Sequence, residues 1–296
     1  MEPLVAKGIV RSTKFLRSEG SLRSIHSHLK ICTPENAKQD RFMKNPLIIA
    51  NWKMKLAPQE AIDLAKKVKK ASTKYKGAEV VLCPSFTELA EVGKIIDATG
   101  LKLGAQDCFW EEQGAFTGEI SPKILQEYGV ETVIIGHSER RTSLLETSQM
   151  IHKKARLVLS LGMRPVVCVG ESFDERQEGL KDSIIIRQVH DALNGIWLNK
   201  MDSLVVAYEP IWVIGSGQDC DPEEIEHTHQ VIRQALYDLF TEQVVDEQVK
   251  IIYGGSVDPE NVSNYLSHAT VHGVLIGTAS WDATTFSAVV AGAIKP

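Results

Sequence analysis

The sequence predicts an α/β protein, a single (β/α)8 barrel, with an N-terminal extension of different character. Three observations lead there. Eight short apolar runs rich in β-branched residues fall between Leu47 and Gly277, with helical patterns between them. The runs are continuous rather than alternating, as strands covered on both faces require. Eight β-then-α units in about 250 residues is the usual content of such a barrel. An open doubly wound sheet also fits the pattern taken alone. The joins are short and polar, so one domain is expected over residues 43–296.

The eight expected strands, in order, are Leu47 to Trp52, Glu79 to Pro84, Leu101 to Gln106, Thr132 to Gly136, Pro165 to Gly170, Leu204 to Glu209, Lys250 to Gly254 and Gly273 to Gly277. Between the first two, Pro58 suits a first helical position, where its missing N–H costs nothing, and Ile62, Ala65 and Val68 recur at helical spacing. Before the seventh, Ile225, Thr228, Ile232, Ala235 and Leu239 form a second helical stripe. Both stripes read as core faces. His227 and His229, two apart on that helix, face different ways and do not suit a metal.

The front of the chain differs. Residues 1–46 carry nine Lys or Arg against four acids, so this stretch is +5 while the whole chain is −5, leaving −10 for the remainder. Residues 1–42 are also Ser-rich and show no strand or helix period, and Met43 offers a second start just before the first strand. Three readings fit: an organellar transit peptide, a misassigned start codon, or a poorly ordered tail. A secretory signal is not expected, because no apolar stretch follows the basic residues. The expected location is the cytoplasm, or a plastid or mitochondrion if residues 1–42 are a transit peptide.

Composition narrows the function. Hydrophobic residues make up 43% of the chain, enough for a sizeable core, and no apolar run approaches a membrane-spanning length. The acidic balance argues against nucleic acid as a partner. Cys32, Cys83, Cys108, Cys168 and Cys220 are odd in number and lack a Cys-x-x-Cys pair, so free thiols are expected rather than disulfides or a zinc site. Cys168, inside the fifth strand, reads as a small core residue.

Barrel enzymes carry their reactive groups at the carboxyl ends of the strands. That rule brings Lys53, His137 and Glu209 to one rim. A cation, an imidazole and a carboxylate suit proton transfer beside a carbonyl: the carboxylate takes a proton from carbon, the imidazole donates to oxygen, and the cation offsets charge. Gly254, Gly255 and Ser256 after strand seven, with Gly277 and Thr278 after strand eight, can turn backbone N–H groups toward a phosphate. Gly215, Ser216 and Gly217 form a small-residue loop able to close over it. Singly, a strand-end Glu is more often salt-bridged, a His structural and a Gly-Gly pair a plain turn. Their joint placement is the signal.

Several strings then carry a resemblance: Asn51-Trp52-Lys53-Met54, Gly114 to Ser121 (GAFTGEIS), Gly136 to Arg141 (GHSERR), Cys168-Val169-Gly170-Glu171, Ala207 to Trp212 (AYEPIW) and Tyr253 to Val257 (YGGSV). In order and spacing they resemble the triosephosphate isomerase family from about Asn45 to Pro296. The resemblance implies a cofactor-free, metal-free isomerase on a TIM barrel, acting in glycolysis and gluconeogenesis on triose phosphates. It makes Glu209 the base, His137 the neutral electrophile, Lys53 the cation and Asn51 part of the oxyanion pocket. These acid–base roles are the family's own, carried over by matching motif. Glu139 is expected to position Lys53, and Ser138 to orient groups around the base. The expected lid is Pro210, Ile211, Trp212, Val213, Ile214, Gly215, Ser216, Gly217 and Gln218. Phosphate contacts fall to Asn51, Lys53, Gly215, Ser256, Gly277 and Thr278. A homodimer is implied, with Gln106 and Thr117 at the interface.

The chain departs from the family's common pattern at a few places. Gln218-Asp219-Cys220 replaces Lys-Thr-Ala at the lid's end, which touches lid kinetics. Thr278 replaces a frequent Gly and is expected to narrow the phosphate pocket. Asp107 replaces Asn, and His272 replaces an Asp. Two other classes remain open: another phosphosugar barrel enzyme, and a non-catalytic barrel that should have lost Lys53, His137, Glu209 or the lid glycines.

Overall fold

A computed structural model describes residues 45–201, 203–215 and 218–294. The extension 1–42 and the lid residues Ser216 and Gly217 lie outside the described residues. The described chain begins with β1 (Leu47–Asn51), α1 (Pro58–Ala71), β2 (Glu79–Cys83), α2 (Phe86–Ile96), β3 (Lys102–Ala105), α3 (Pro122–Glu127) and β4 (Val130–Ile135). Two helices, α4 (Ser138–Ser143) and α5 (Ser148–Ser160), precede β5 (Arg164–Val169), and α6 (Phe173–Gln177) and α7 (Lys181–Leu193) precede β6 (Leu204–Tyr208). Then come α8 (Pro222–Tyr237), α9 (Glu242–Gln248), β7 (Val249–Tyr253), α10 (Val262–Leu266), β8 (Gly273–Ile276) and α11 (Ala283–Ile294).

All eight strands are parallel, and β8 pairs with β1 to close the barrel, with Leu47 opposite Gly273. Closure removes the doubly wound alternative. Gly273 permits it sterically: a Cβ there would sit 2.0 Å from the Leu47 carbonyl oxygen. Observed strands differ from the expected ones by one or two residues at their ends, where the chain turns into loops. The largest change is β4, which starts at Val130 because Val130 already pairs with Leu103.

Side chains alternate between two apolar layers. Leu47, Ile49, Val81, Cys83, Ile134, Val166, Cys168, Val205, Ala207, Ile252 and Leu275 fill the barrel interior. Ile48, Ala50 and the other outward strand residues pack against the helices. Cys168 is therefore a core residue as expected, and Cys83, Cys108, Cys168 and Cys220 are free and buried.

The helices follow their signals. At α1, Pro58 is at the first position and the Glu60 carboxylate accepts the Ala57 N–H at 2.9 Å. Its buried face centres on Ala61, Leu64, Ala65 and Val68. Ile62 is only half-buried, a correction to the expected stripe. At α8, Asp221 caps the Glu223 N–H at 3.0 Å and Ile225, Thr228, Ile232 and Ala235 are buried. Leu239 lies just past the helix and packs on the core. His227 is exposed and 3.0 Å from Asp182, whereas His229 is fully buried with Nδ1 2.9 Å from the Thr270 carbonyl. They do face apart. Among the described residues no helix is long and apolar enough to cross a membrane.

Candidate active site

β1 delivers Asn51 and then Lys53 to the rim. Lys53 has a left-handed backbone (φ 51°), uncommon for a residue with a side chain, and neighbours hold it there. Its N–H donates to Asn51 Oδ1 at 3.1 Å. Its carbonyl accepts from Ser85 Oγ at 3.1 Å and from Gln106 Nε2 at 3.0 Å. Gln106 Nε2 also reaches the Cys83 carbonyl at 3.0 Å. So Gln106, expected at a subunit interface, spends its amide inside the chain on the lysine's backbone.

The lysine side chain runs across the mouth of β8. A Cβ at Gly277 would lie 3.2 Å from Lys53 Cε, so glycine leaves room for the stem. Lys53 Nζ donates to Glu139 Oε1 at 2.6 Å. Glu139 thus pairs with the lysine, although the two are 86 residues apart in sequence.

β4 ends at Ile135 and, after Gly136, His137 caps α4. The Glu139 N–H donates to His137 Nδ1 at 3.2 Å. An imidazole that accepts at Nδ1 carries the proton of its neutral form on Nε2. His137 Nε2 lies 3.2 Å from Glu209 Oε1. That approach is not aligned as a hydrogen bond, and Oε1 has no partner of good geometry. The other oxygen, Oε2, accepts the Ser138 N–H at 2.9 Å. Glu209 is 1% exposed and His137 6%, so the pair sits in a low-dielectric niche. Below it, the Cys168 thiol is pushed well up by burial and then by the neighbouring Glu209 charge. Arg141 spans the niche's base, donating to the Gly136 carbonyl at 2.8 Å and the Cys168 carbonyl at 2.9 Å.

Two glycines make space for Glu209, one beside its backbone and one beside its side chain. A Cβ at Gly170 would lie 1.8 Å from the Glu209 carbonyl oxygen, and one at Gly254 would lie 2.9 Å from Glu209 Cγ. Lys53, His137, Ser138, Glu139 and Glu209 therefore form one linked set, bordered by Gly254 and Gly277. Ser256 and Thr278 follow on those same two loops, with Thr278 exposed. Gly215 has a left-handed backbone (φ 72°) with open space beside it.

Glu171 ends the Cys168-Val169-Gly170-Glu171 string, and nothing in the sequence pattern assigns it a role. Glu171 is fully buried and accepts from Trp212 Nε1 at 2.8 Å and Tyr208 OH at 3.2 Å, while its carbonyl accepts the Ile211 N–H at 3.1 Å. Burial raises its pKa, and these donors oppose the rise. The Arg176 guanidinium stacks 4.4 Å over the Trp212 ring. Only the position of Glu171 after β5 could have signalled this anchor. Two departures from the family's common pattern, Asp107 and His272, have partners within the chain. Asp107 is buried against Lys154 Nζ (2.7 Å) and Arg140 Nη2 (2.8 Å). His272 is buried, accepts the Ile251 N–H at 2.9 Å, and is lowered to about 3 by burial first and nearby cations next. Among the described residues no group of His, Cys, Asp or Glu could hold a metal.

Fold and site together define a barrel enzyme with acid–base groups converging on its carboxyl rim. The triosephosphate isomerase family model matches residues 46–293. The triosephosphate isomerase of Thermoanaerobacter sp. (strain X514) is 44% identical over 248 residues, covering 84% of this chain and 99% of that protein. That of Aquifex aeolicus is 41% identical over 244 residues, covering 82% and 98%. The crystal structure of the triosephosphate isomerase from Bartonella henselae superposes with a TM-score of 0.76 at 29% identity, covering 85% of this chain and all of that one. The chain belongs to the triosephosphate isomerase family.

Proposed function

We propose that the protein interconverts dihydroxyacetone phosphate and D-glyceraldehyde 3-phosphate by proton transfer through an enediolate, in glycolysis and gluconeogenesis. The observation that carries this is the linked set of Lys53, His137 and Glu209, with one carboxylate oxygen 3.2 Å from the imidazole Nε2. Glu209 takes the proton from the carbon beside the carbonyl. His137, neutral with its proton on Nε2, donates to the carbonyl oxygen as charge develops there. Glu209 then returns its proton to the neighbouring carbon, while His137 takes the proton of the adjoining hydroxyl, which becomes the new carbonyl, and so regains its neutral form. Lys53 offsets negative charge, and Glu139 positions Lys53. These acid–base roles are those established for the family. Asn51 helps line the oxyanion side.

The substrate phosphate is met by Lys53 and by groups at Gly215, Ser256, Gly277 and Thr278. Residues 210–218 act as a lid rooted on the Glu171–Trp212 bond; closure excludes water and suppresses loss of phosphate from the enediolate. No cofactor and no metal take part. A coupled assay with glyceraldehyde 3-phosphate tests the reading, and a folded protein without turnover would sink it.

The protein acts as a homodimer. Met54 is 96% exposed beside Lys53, and Phe116 is 44% exposed beside Thr117, which suits burial of both against a second copy. Sedimentation at micromolar concentration tests this. Residues 43–296 form the catalytic domain and 1–42 an extension. The working location is the cytoplasm, or an organelle if the extension is cleaved on import. Mass spectrometry of the native N-terminus separates the two.

A further inference from the structure

The end of the proposed lid departs from the family's common pattern at Asp219, and that residue has a specific partner. Asn261 Nδ2 donates to Asp219 Oδ1 at 2.9 Å. The same nitrogen lies 3.4 Å from the Ser256 carbonyl oxygen. Asn261 Oδ1 accepts the Asp258 N–H at 2.9 Å. Asp258 Oδ1 in turn accepts the N–H groups of Glu260 (2.7 Å) and Asn261 (2.9 Å), which fixes the turn. One planar amide therefore engages three points: the lid's end, the Ser256 residue itself and the turn after it. Only an amide can do this, because a carboxylate has no N–H to give.

The neighbourhood makes the contact consequential. Cys220, next to Asp219, is 1% exposed, so the chain is anchored immediately beyond the contact. Asp219 also brings a negative charge toward the loop expected to receive a dianion. An amide that takes up this carboxylate holds its charge in a fixed place.

We infer that Asn261 is a positioning residue for phosphate binding, tying the lid's end at Asp219 to the turn that presents Ser256. The inference rests on Ser256 being a phosphate contact. Phosphate affinity depends on this tie because Ser256 loses its register when the turn is released.

Inorganic phosphate is the probe, by calorimetry and by competitive inhibition, alongside KM and kcat for glyceraldehyde 3-phosphate. Asn261→Asp sets two carboxylates against each other and is expected to weaken phosphate and raise KM by about tenfold, the loss of a hydrogen bond to a charged group. In that variant kcat stays within about threefold, since Lys53, His137 and Glu209 are untouched. The double variant Asn261→Asp with Asp219→Asn restores the bond to residue 219 in the reverse direction and should recover part of the affinity, because the carboxylate at 261 still has no N–H for the Ser256 carbonyl. Asp219→Ala should bind phosphate at least about threefold more weakly than Asp219→Asn, although neither has a charge there. This second comparison decides the matter if Asn261→Asp does not fold, judged by its urea midpoint. Equal affinities of Asp219→Ala and Asp219→Asn, or a double variant no tighter than Asn261→Asp, overturn the tie. A parent protein that neither turns over nor binds phosphate overturns the functional reading beneath it instead.

Discussion

Shortening Glu209 by one methylene separates its proposed chemistry from its packing. Glu209→Asp retains the charge but withdraws the carboxylate by about 1.5 Å, one carbon–carbon bond. In the parent, Oε2 accepts the Ser138 N–H at 2.9 Å and Oε1 lies 3.2 Å from His137 Nε2. Neither contact survives such a withdrawal without backbone movement, and Gly170 and Gly254 are already tight against this residue. A misplacement of about 1 Å costs a reacting group about 10²-fold in rate. The expected fall in kcat is therefore about 10²-fold or more, about 3 kcal/mol of barrier. KM should change by less than about threefold, because the phosphate contacts lie elsewhere. The coupled assay measures both, and a urea midpoint close to the parent's confirms the fold. A kcat within tenfold of the parent would remove Glu209 from the base role. A raised KM with unchanged kcat would make it a binding group instead.

Three further outcomes follow from the same geometry. Lys53→Ala should lose substrate binding together with turnover, and parent-like affinity for substrate would contradict its electrostatic role. Gly254→Ala places a methyl 2.9 Å from Glu209 Cγ and 3.3 Å from the Tyr208 carbonyl, so kcat should fall about tenfold or more while far-UV dichroism is kept; full activity would mean the carboxylate has slack. Glu79, at the barrel's other end, would be raised by burial, but Arg164, Lys250 and Lys102 outweigh this and lower it to about 2. A depressed carboxylate stabilises above its unfolded pKa and stops doing so as pH falls through the folded one. Glu79→Gln should thus cost at most about 3 kcal/mol at pH 7 and little near pH 2, read by urea denaturation at both. A cost independent of pH would refute the charge origin.

The strands were readable because runs such as Val80 to Cys83 and Val166 to Val169 are apolar on both faces, which few other structures demand. Closure was readable from the count of eight units and the resemblance, not from the strand pattern itself, which an open sheet also fits. It rests on Gly273 lying against the Leu47 carbonyl, a contact between the first and last strands that no local pattern reports. The proposed catalytic trio follows from one topological rule, that reactive groups follow strands. What the rule missed are the residues that act through pairing across the barrel. Gln106 holds the Lys53 carbonyl from 53 residues away, and Glu171 holds Trp212 from 41. Asn261 is an ordinary turn residue in sequence, and only its distance to Asp219 distinguishes it.

An acidic barrel that takes a phosphate dianion must find its positive potential locally, and the structure narrows where. Lys53 is the cation at the rim, yet its Nζ is already paired with Glu139 at 2.6 Å. The first N–H groups of α4 are natural anion donors. They are spent as well: Ser138 N–H on Glu209 and Glu139 N–H on His137. One helix start thus aims the base and the electrophile and has nothing left for phosphate. The proposed donors for the dianion therefore lie elsewhere on the rim, on the loops after β7 and β8 and on the lid at Gly215. Glycines stand there because N–H groups must approach closely, and Gly277 also makes room for the lysine stem. The division is one of labour between loops. In the proposed reading the loops after β4 and β6 supply the proton chemistry, those after β7 and β8 the anion site, and Lys53 after β1 lies between them. If Lys53 meets substrate as proposed, substrate charge competes with Glu139 for the lysine at the moment of binding, which makes the Lys53–Glu139 pair part of the binding equilibrium and not only a support for it.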